Sequence, residues 1–201
     1  MNQDIIEMIS YDEIKAYVES EKKYSYKNHK KEALESIVLL SESELLPLVD
    51  KYTLNKPNYK SVRHFVMNYV SATLIEKEGF TWRIDEYGWV KQNEKFEEVR
   101  IVLGTKNSLQ IGKSPKNSFF FGYSINLGGA GGASSVSVYD NSFKSFEEAK
   151  QAGLNYLKEG YLKTALTFSE DTTNFNRKIV AEFKKAIDFY LPPVGSQLRL
   201  F

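Results

Sequence analysis

The sequence predicts an α+β fold in which helices come first, an antiparallel sheet follows, and two further helices close the chain. Three observations support this prediction. Apolar residues recur with helical spacing over residues 1–78, alternate with polar residues between 81 and 139, and return to helical spacing from residue 145. Because the strands follow one another without intervening helices, a central antiparallel sheet of about four to five strands is favoured over a parallel fold.

The first predicted domain is a helical region over residues 1–79. Its apolar stripes are Ile5, Ile6 and Ile9; Ile14, Tyr17 and Val18; Ala33, Leu34, Ile37, Val38 and Leu40; and Val62, Phe65, Val66, Tyr69, Val70, Thr73 and Leu74. Ser41 and Glu44 have the spacing of a capping box, and Pro47 is predicted to lie in the first turn of the helix that follows. Gly79 is expected to end the last of these helices and to mark the boundary.

The second predicted domain, residues 80–191, contains the sheet and the two closing helices. Alternating patterns predict strands at residues 81–85, 87–90, 99–103, 119–127 and 135–139. Ser145 and Glu148 form a second capping box before one closing helix. The last helix is expected to start near Thr172 and to stop before Pro192 and Pro193. Residues 192–201 are interpreted as an extended tail.

Composition excludes several classes of function. The 201 residues include 42% hydrophobic and 26% charged residues, which is typical of a folded globular protein. The formal net charge of +1 lacks the basic excess of a dedicated nucleic-acid binder. The absence of cysteine excludes disulfides and thiolate metal sites, and two histidines cannot form a His-rich site. Without a signal peptide or a membrane span, a cytoplasmic protein with no membrane partner is expected.

A glycine-rich segment around Ala130 is one candidate ligand loop, because backbone N–H groups of such loops can bind phosphate. Its glycines are Gly128, Gly129, Gly131 and Gly132. The dinucleotide-binding spacing is not met, since Ser134 stands where a third glycine is required. A flexible hairpin between two strands is the preferred interpretation, and a loop that contacts a ligand is the alternative.

A basic stretch with tyrosines is the candidate for nucleic-acid contact, since lysines contact phosphates and tyrosines stack on bases. Its members are Lys22, Lys23, Tyr24, Tyr26, Lys27, Lys30 and Lys31. The alternative is a solvated helix end and linker. Three aromatic residues of the predicted sheet are further candidates for base stacking, namely Trp89, Tyr123 and Tyr139.

No catalytic set is visible in the sequence. Nothing pairs a nucleophile with a base, and His64 is interpreted as a partly buried packing residue. We therefore predict no enzyme, no cofactor and no metal site. A catalytic function would be favoured again if the fold brought Asp85, Glu86 and Asp140 together in one cleft.

The sharpest functional signal is the pentapeptide Gln197-Leu198-Arg199-Leu200-Phe201. It follows six residues, 191–196, that extend by roughly 20 Å at ~3.1 Å per residue. The pentapeptide resembles the Gln-Leu-x-Leu-Phe motif with which client proteins dock on the bacterial sliding clamp, the β subunit of DNA polymerase III. The resemblance implies that the Gln197 amide bonds the polar rim of the clamp groove. It also implies that Leu198, Leu200 and Phe201 fill apolar pockets while Arg199 points outward.

The leading hypothesis is a non-enzymatic accessory or adaptor protein of DNA replication or repair, encoded by a chromosome, a phage or another mobile element. Burying Leu200 and Phe201 contributes ~3–6 kcal/mol before ordering costs, which fits micromolar docking. The structural alternative is a tail that folds back and pairs along a sheet edge. The functional alternatives are a direct DNA-binding or RNA-binding protein and a protein inhibitor or interaction module.

Overall fold

The computed structural model describes residues 9–24, 28–53, 61–168 and 170–191, and it confirms the α+β class. Its helices are α1 (Tyr11–Tyr24), α2 (Asn28–Leu39), α3 (Glu42–Thr53), α4 (Val62–Lys77), α5 (Phe146–Leu157), α6 (Lys163–Thr167) and α7 (Arg177–Tyr190). A π-helical turn, Lys158–Leu162, joins α5 to α6. The strands are β1 (Trp82–Ile84), β2 (Val90–Gln92), β3 (Glu97–Val102), β4 (Ser108–Lys113), β5 (Phe119–Asn126) and β6 (Gly131–Ser134).

The chain divides into two compact units between Lys95 and Phe96. Unit 1 contains α1 to α4 and the antiparallel hairpin β1–β2, in which Ile84 pairs with Val90. The predicted boundary at Gly79 separates this hairpin from the helices, whereas in the structure the hairpin belongs to the helical unit. The predicted helical face at residues 5–9 lies largely outside the described residues.

The helical stripes of unit 1 form its core as predicted. Ile14 and Val18 of α1, Ile37 of α2, and Phe65 and Val66 of α4 are all fully buried. Because residues three or four apart share one face of a helix, each stripe turns its apolar side chains toward the other helices. Their burial supplies the main stabilisation of the unit.

Several predicted helix ends are confirmed by their capping contacts. The backbone N–H of Ser41 donates to the Glu44 carboxylate at 2.8 Å, as in a capping box. Gly79 adopts φ +84° after α4, and the N–H of Phe80 donates back to the carbonyl of Ile75 at 3.1 Å. This arrangement is the Schellman motif, in which glycine avoids the strain of a left-handed backbone.

Two predicted helix details are wrong. Helix α3 begins at Glu42, so Pro47 lies in its second turn and cannot donate the N–H that would continue the helical ladder. Helix α7 begins after Asn176 rather than near Thr172. The Asn176 side chain accepts hydrogen bonds from the N–H groups of Lys178 and Ile179, and therefore caps the helix.

Unit 2 is a four-stranded antiparallel sheet, ordered β3-β4-β5-β6, with helices on one face. Ile101 of β3 pairs with Leu109 of β4, and Leu109 pairs with Tyr123 of β5. Paired residues of neighbouring strands point to the same face. On that face the sheet and the helices share one core, in which Leu154 and Phe183 are fully buried.

The predicted strand at residues 135–139 is wrong, because the fourth strand is Gly131–Ser134. After Ser134 the chain crosses the other face of the sheet instead of pairing. It approaches so closely that a Cβ at Gly112 would lie 2.5 Å from Val136 Cγ1, and one at Gly122 would lie 2.6 Å from Val136 N. These two glycines make room for the crossing, and Val138 is buried.

Asn68 is the residue of unit 1 that we expect to be least tolerant of truncation. Its buried Nδ2 donates to the carbonyls of Tyr52 and Gly88 at 2.7 Å each, and its Oδ1 accepts from the N–H of Val90 at 2.9 Å. Asn68→Ala leaves three backbone groups without a partner, so the free energy of unfolding should fall by about 2–4 kcal/mol in a urea titration. Asn155→Ala, at an exposed helical asparagine, should change it by less than about 0.5 kcal/mol. Equal effects would contradict this role.

Candidate functional site

The pentapeptide residues Gln197, Leu198, Leu200 and Phe201 lie outside the described residues.

The basic stretch is described only in part, because residues 25–27 and the side chain of Tyr24 also lie outside the described residues. Lys22 Nζ lies 3.2 Å from the Glu19 carboxylate, and Lys30 Nζ lies 3.9 Å from that of Glu21. These ion pairs balance part of the local positive charge that a nucleic-acid contact would use.

The three candidates for base stacking differ in how far their rings are exposed to solvent. Trp89 is stacked on His64, with ring centroids 4.0 Å apart. Tyr123 contacts the rings of Tyr156 and Tyr161 at 5.4 and 5.5 Å. Tyr139 has the most exposed side chain of the three, at 43%. Of the two rings in unit 2, Tyr123 lies in β5 and Tyr139 lies outside the strands, so the sheet does not present these two rings as one open stacking platform.

His64 is a packing residue, as predicted. In addition to its contact with Trp89, its Nδ1 lies 3.1 Å from the hydroxyl of Ser61, the N-cap of α4. Burial lowers the pKa of His64, and the neighbouring Arg63 charge adds to this effect. The ring is therefore neutral at physiological pH, where it supports the junction of α4 with the hairpin.

Of the acids named as possible catalysts, Asp85 has a visible structural role. Asp85 accepts hydrogen bonds from the N–H groups of Tyr87 and Trp89, at 3.0 and 2.9 Å, and so shapes the β1–β2 turn. Asp140 belongs to unit 2. Across the described ranges, no three acidic or histidine side chains form a group that could hold a metal ion. No helix in the described part of the chain is long and apolar enough to cross a membrane.

Gly128 and Gly129 lie in the turn of a hairpin between two strands, whereas Gly131 and Gly132, which were expected in the same connection, belong to strand β6. This hairpin is anchored to the segment that precedes α7. Leu127 accepts a hydrogen bond from the N–H of Asn176 at 2.6 Å, and the N–H of Ala130 donates to Asn174 at 2.9 Å. The N–H of Gly128 donates to the Asn126 side chain at 3.1 Å. Since two of the backbone donors bond within the protein, fewer remain for a phosphate group.

The glycines of this hairpin are required by close contacts. A Cβ at Gly129 would lie 2.7 Å from the carbonyl oxygen of Thr173, and one at Gly132 would lie 2.3 Å from the hydroxyl of Tyr161. These distances are shorter than real contacts allow, so only glycine fits without rearrangement. Gly132 thereby creates the space in which a tyrosine cluster forms.

This tyrosine cluster, Tyr123, Tyr156 and Tyr161, is the site that the sequence did not predict. The Tyr161 hydroxyl donates to that of Tyr123 at 3.3 Å, and the hydroxyls of Tyr123 and Tyr156 lie 3.4 Å apart. The rings extend toward Phe121, whose centroid lies 5.9 Å from that of Tyr156. Tyr156 is 48% exposed, so the cluster reaches the surface.

The π-helical turn explains why the cluster was missed. Tyr156 and Tyr161 are five residues apart, and in an α-helix this spacing places side chains on different faces. The π-turn at Lys158–Leu162 inserts an extra residue into the helix and brings Tyr161 back toward Tyr156. Such turns are frequent at functional sites, but nothing in the residue pattern distinguishes this one from an ordinary helix.

The hydrogen bonds of the cluster act on the acidity of Tyr123. Hydrogen bonds with Tyr156 and Tyr161, followed by burial, raise the pKa of Tyr123 well above its ordinary value. The Tyr123 hydroxyl is therefore a neutral hydrogen-bond donor and acceptor at neutral pH.

A groove beside α7 is the second feature of unit 2. Its volume is about 630 Å³, and its apolar lining includes Val102 of β3 with Ala186, Phe189 and Tyr190 of α7. Val102 is 63% exposed and Phe189 is 77% exposed. Exposed apolar side chains that line a groove are typical of a surface that binds another polypeptide.

Comparison with known proteins gives no match, whether to a family model, to a curated protein or to a solved structure. The functional argument therefore depends on the residues of this chain alone.

The tyrosine cluster predicts a specific alkaline titration. Because the pKa of Tyr123 is raised in the folded state, its hydrogen bonds stabilise the fold below the ordinary tyrosine pKa of ~10. This contribution is lost as the pH rises through the raised value. In Tyr156→Phe, the pKa of Tyr123 should fall toward ~10, measured by NMR of ¹³C-labelled tyrosine. Tyr139→Phe should leave it unchanged. An unaltered pKa of Tyr123 in Tyr156→Phe would contradict the proposed bonding.

Proposed function

We propose that this protein is a non-enzymatic accessory protein of DNA replication or repair that docks on the bacterial sliding clamp. The observation that carries the proposal is the pentapeptide, in which all four defining positions of the clamp-binding motif are present. These are Gln197, Leu198, Leu200 and Phe201. A polar rim contact and three apolar side chains suffice for a weak and exchangeable complex.

The organisation of unit 2 supports this proposal. Leu191, which follows α7, is 8% exposed and joins the buried core that contains Phe183 and Ile187. Its N–H donates to the carbonyl of Ile187 at 2.7 Å, which completes the helical ladder. The described core of unit 2 therefore extends to Leu191. The proposal requires that the pentapeptide, which follows later in the sequence, is available to the clamp.

The net charge also fits a tethered protein. At a formal charge of +1, this chain lacks the electrostatic attraction that drives independent DNA binding. A folded body held at the clamp by a short peptide gains a high effective concentration near DNA. Weak contacts made by the two units would then suffice for their action.

The proposal is tested by binding the full-length protein to a purified bacterial β clamp in calorimetry. We expect a micromolar dissociation constant. The double substitution Leu200→Ala and Phe201→Ala removes two side chains whose burial in the clamp groove would contribute about 1.5–3 kcal/mol each. The affinity for the clamp should therefore fall by about 100-fold or more.

Two matched variants control for effects outside the motif. Arg199→Ala changes the variable position and should retain binding. Leu39→Ala truncates a leucine that is 84% exposed on unit 1 and should also retain it. If the intact protein does not bind the clamp, or if the double variant binds equally well, the proposal is wrong. Strongly salt-dependent binding to DNA without the clamp would favour a direct nucleic-acid-binding function instead.

A further inference from the structure

Among the strands of the described residues, β3 forms one edge of the unit 2 sheet. Its residues from Glu97 to Arg100 are exposed, and Ile101 alone is buried. Val99 is an apolar residue between two charged positions of this strand, and its side chain is 51% exposed. An edge strand with exposed apolar residues is a template on which another strand can pair.

The hydrogen-bond register shows which backbone groups this edge offers. The N–H of Leu103 donates to the carbonyl of Asn107 at 2.8 Å, and the pairing continues with Ile101 opposite Leu109. Residues two apart in an antiparallel strand direct their backbone groups to the same side. The odd-numbered residues therefore bond to β4, whereas Glu98 and Arg100 direct their N–H and C=O groups away from the sheet.

We propose that a second copy of this chain pairs with this edge, so that two β3 strands join antiparallel about a two-fold axis at Val99. The two sheets then form one continuous sheet of eight strands. In this register Glu98 of each copy lies opposite Arg100 of the other, as a hydrogen-bonded pair. The two-fold axis produces this pair twice, so backbone bonding and charge complementarity coincide.

The charges select this register over its neighbours. An axis at Arg100 would place two arginines opposite each other, and an axis at Glu98 would oppose two glutamates, both of which are unfavourable. At Val99 the two valine side chains meet in a non-hydrogen-bonded pair, where strands approach most closely. This contact buries the exposed surface of Val99. Charges usually block pairing at sheet edges, but here they are self-complementary.

The test is the mass of the full-length protein in solution, measured by light scattering and by sedimentation over a range of concentrations. We expect a dimer. Glu98→Arg and Arg100→Glu each place like charges in opposition, so each should raise the dimer dissociation constant by about tenfold or more. The double variant exchanges the charges and should restore the dimer. Because both side chains are exposed, all variants should keep the circular dichroism of the parent.

Three results would overturn the proposal. The first is a monomer at all concentrations, and the second is a double variant that remains as weak as the single ones. The third is an intact chain that is monomeric but dimerises once residues 192–201 are removed, because the tail would then be the segment that pairs with the β3 edge. Leu200→Ala with Phe201→Ala should leave the dimer intact, so failure of clamp docking and failure of dimerisation are distinguishable.

Discussion

Hydrogen bonds at two points of helix α7 hold it against the sheet of unit 2, and the candidate sites of this unit depend on them. At its start, the N–H of Asn176 donates to Leu127 of the β5–β6 hairpin at 2.6 Å. Further along, the hydroxyl of Thr105 in the β3–β4 turn donates to Glu182 at 2.6 Å and lowers the pKa of that carboxyl. Phe183 is fully buried beside this contact. The β3–β4 and β5–β6 turns, which lie at the same end of the sheet, therefore both fix the helix.

The position of α7 has two consequences. It forms the apolar groove beside the β3 edge. Gly104 adopts φ +96° and lets the β3–β4 turn approach the helix so closely that a Cβ added at Gly104 would lie 3.3 Å from Glu182 Cβ. The helix also places Leu191, which follows it, in the buried core of unit 2. The edge of the sheet, the apolar groove and the tyrosine cluster therefore belong to one unit.

The sequence predicted features that local chemistry determines, and it failed where tertiary contacts decide. Gly79 ended α4 as expected, since only glycine adopts its left-handed backbone easily. The fourth strand was misplaced because Gly131–Ser134 has no apolar alternation, whereas Val136 and Val138 do, although they cross the sheet face instead of pairing. The tyrosine cluster depends on a π-turn and on the space at Gly132, neither of which leaves a periodic signal.

Docking on the clamp requires that the folded body is stable without the tail, so that the pentapeptide is available for a partner. The most direct test compares the full chain with a variant that ends at Leu191, by urea unfolding followed with circular dichroism. We expect the free energies of unfolding to agree within about 0.5 kcal/mol. A loss of about 2 kcal/mol or more on truncation would show that the tail packs into the body, and the pentapeptide would then not be available for the clamp.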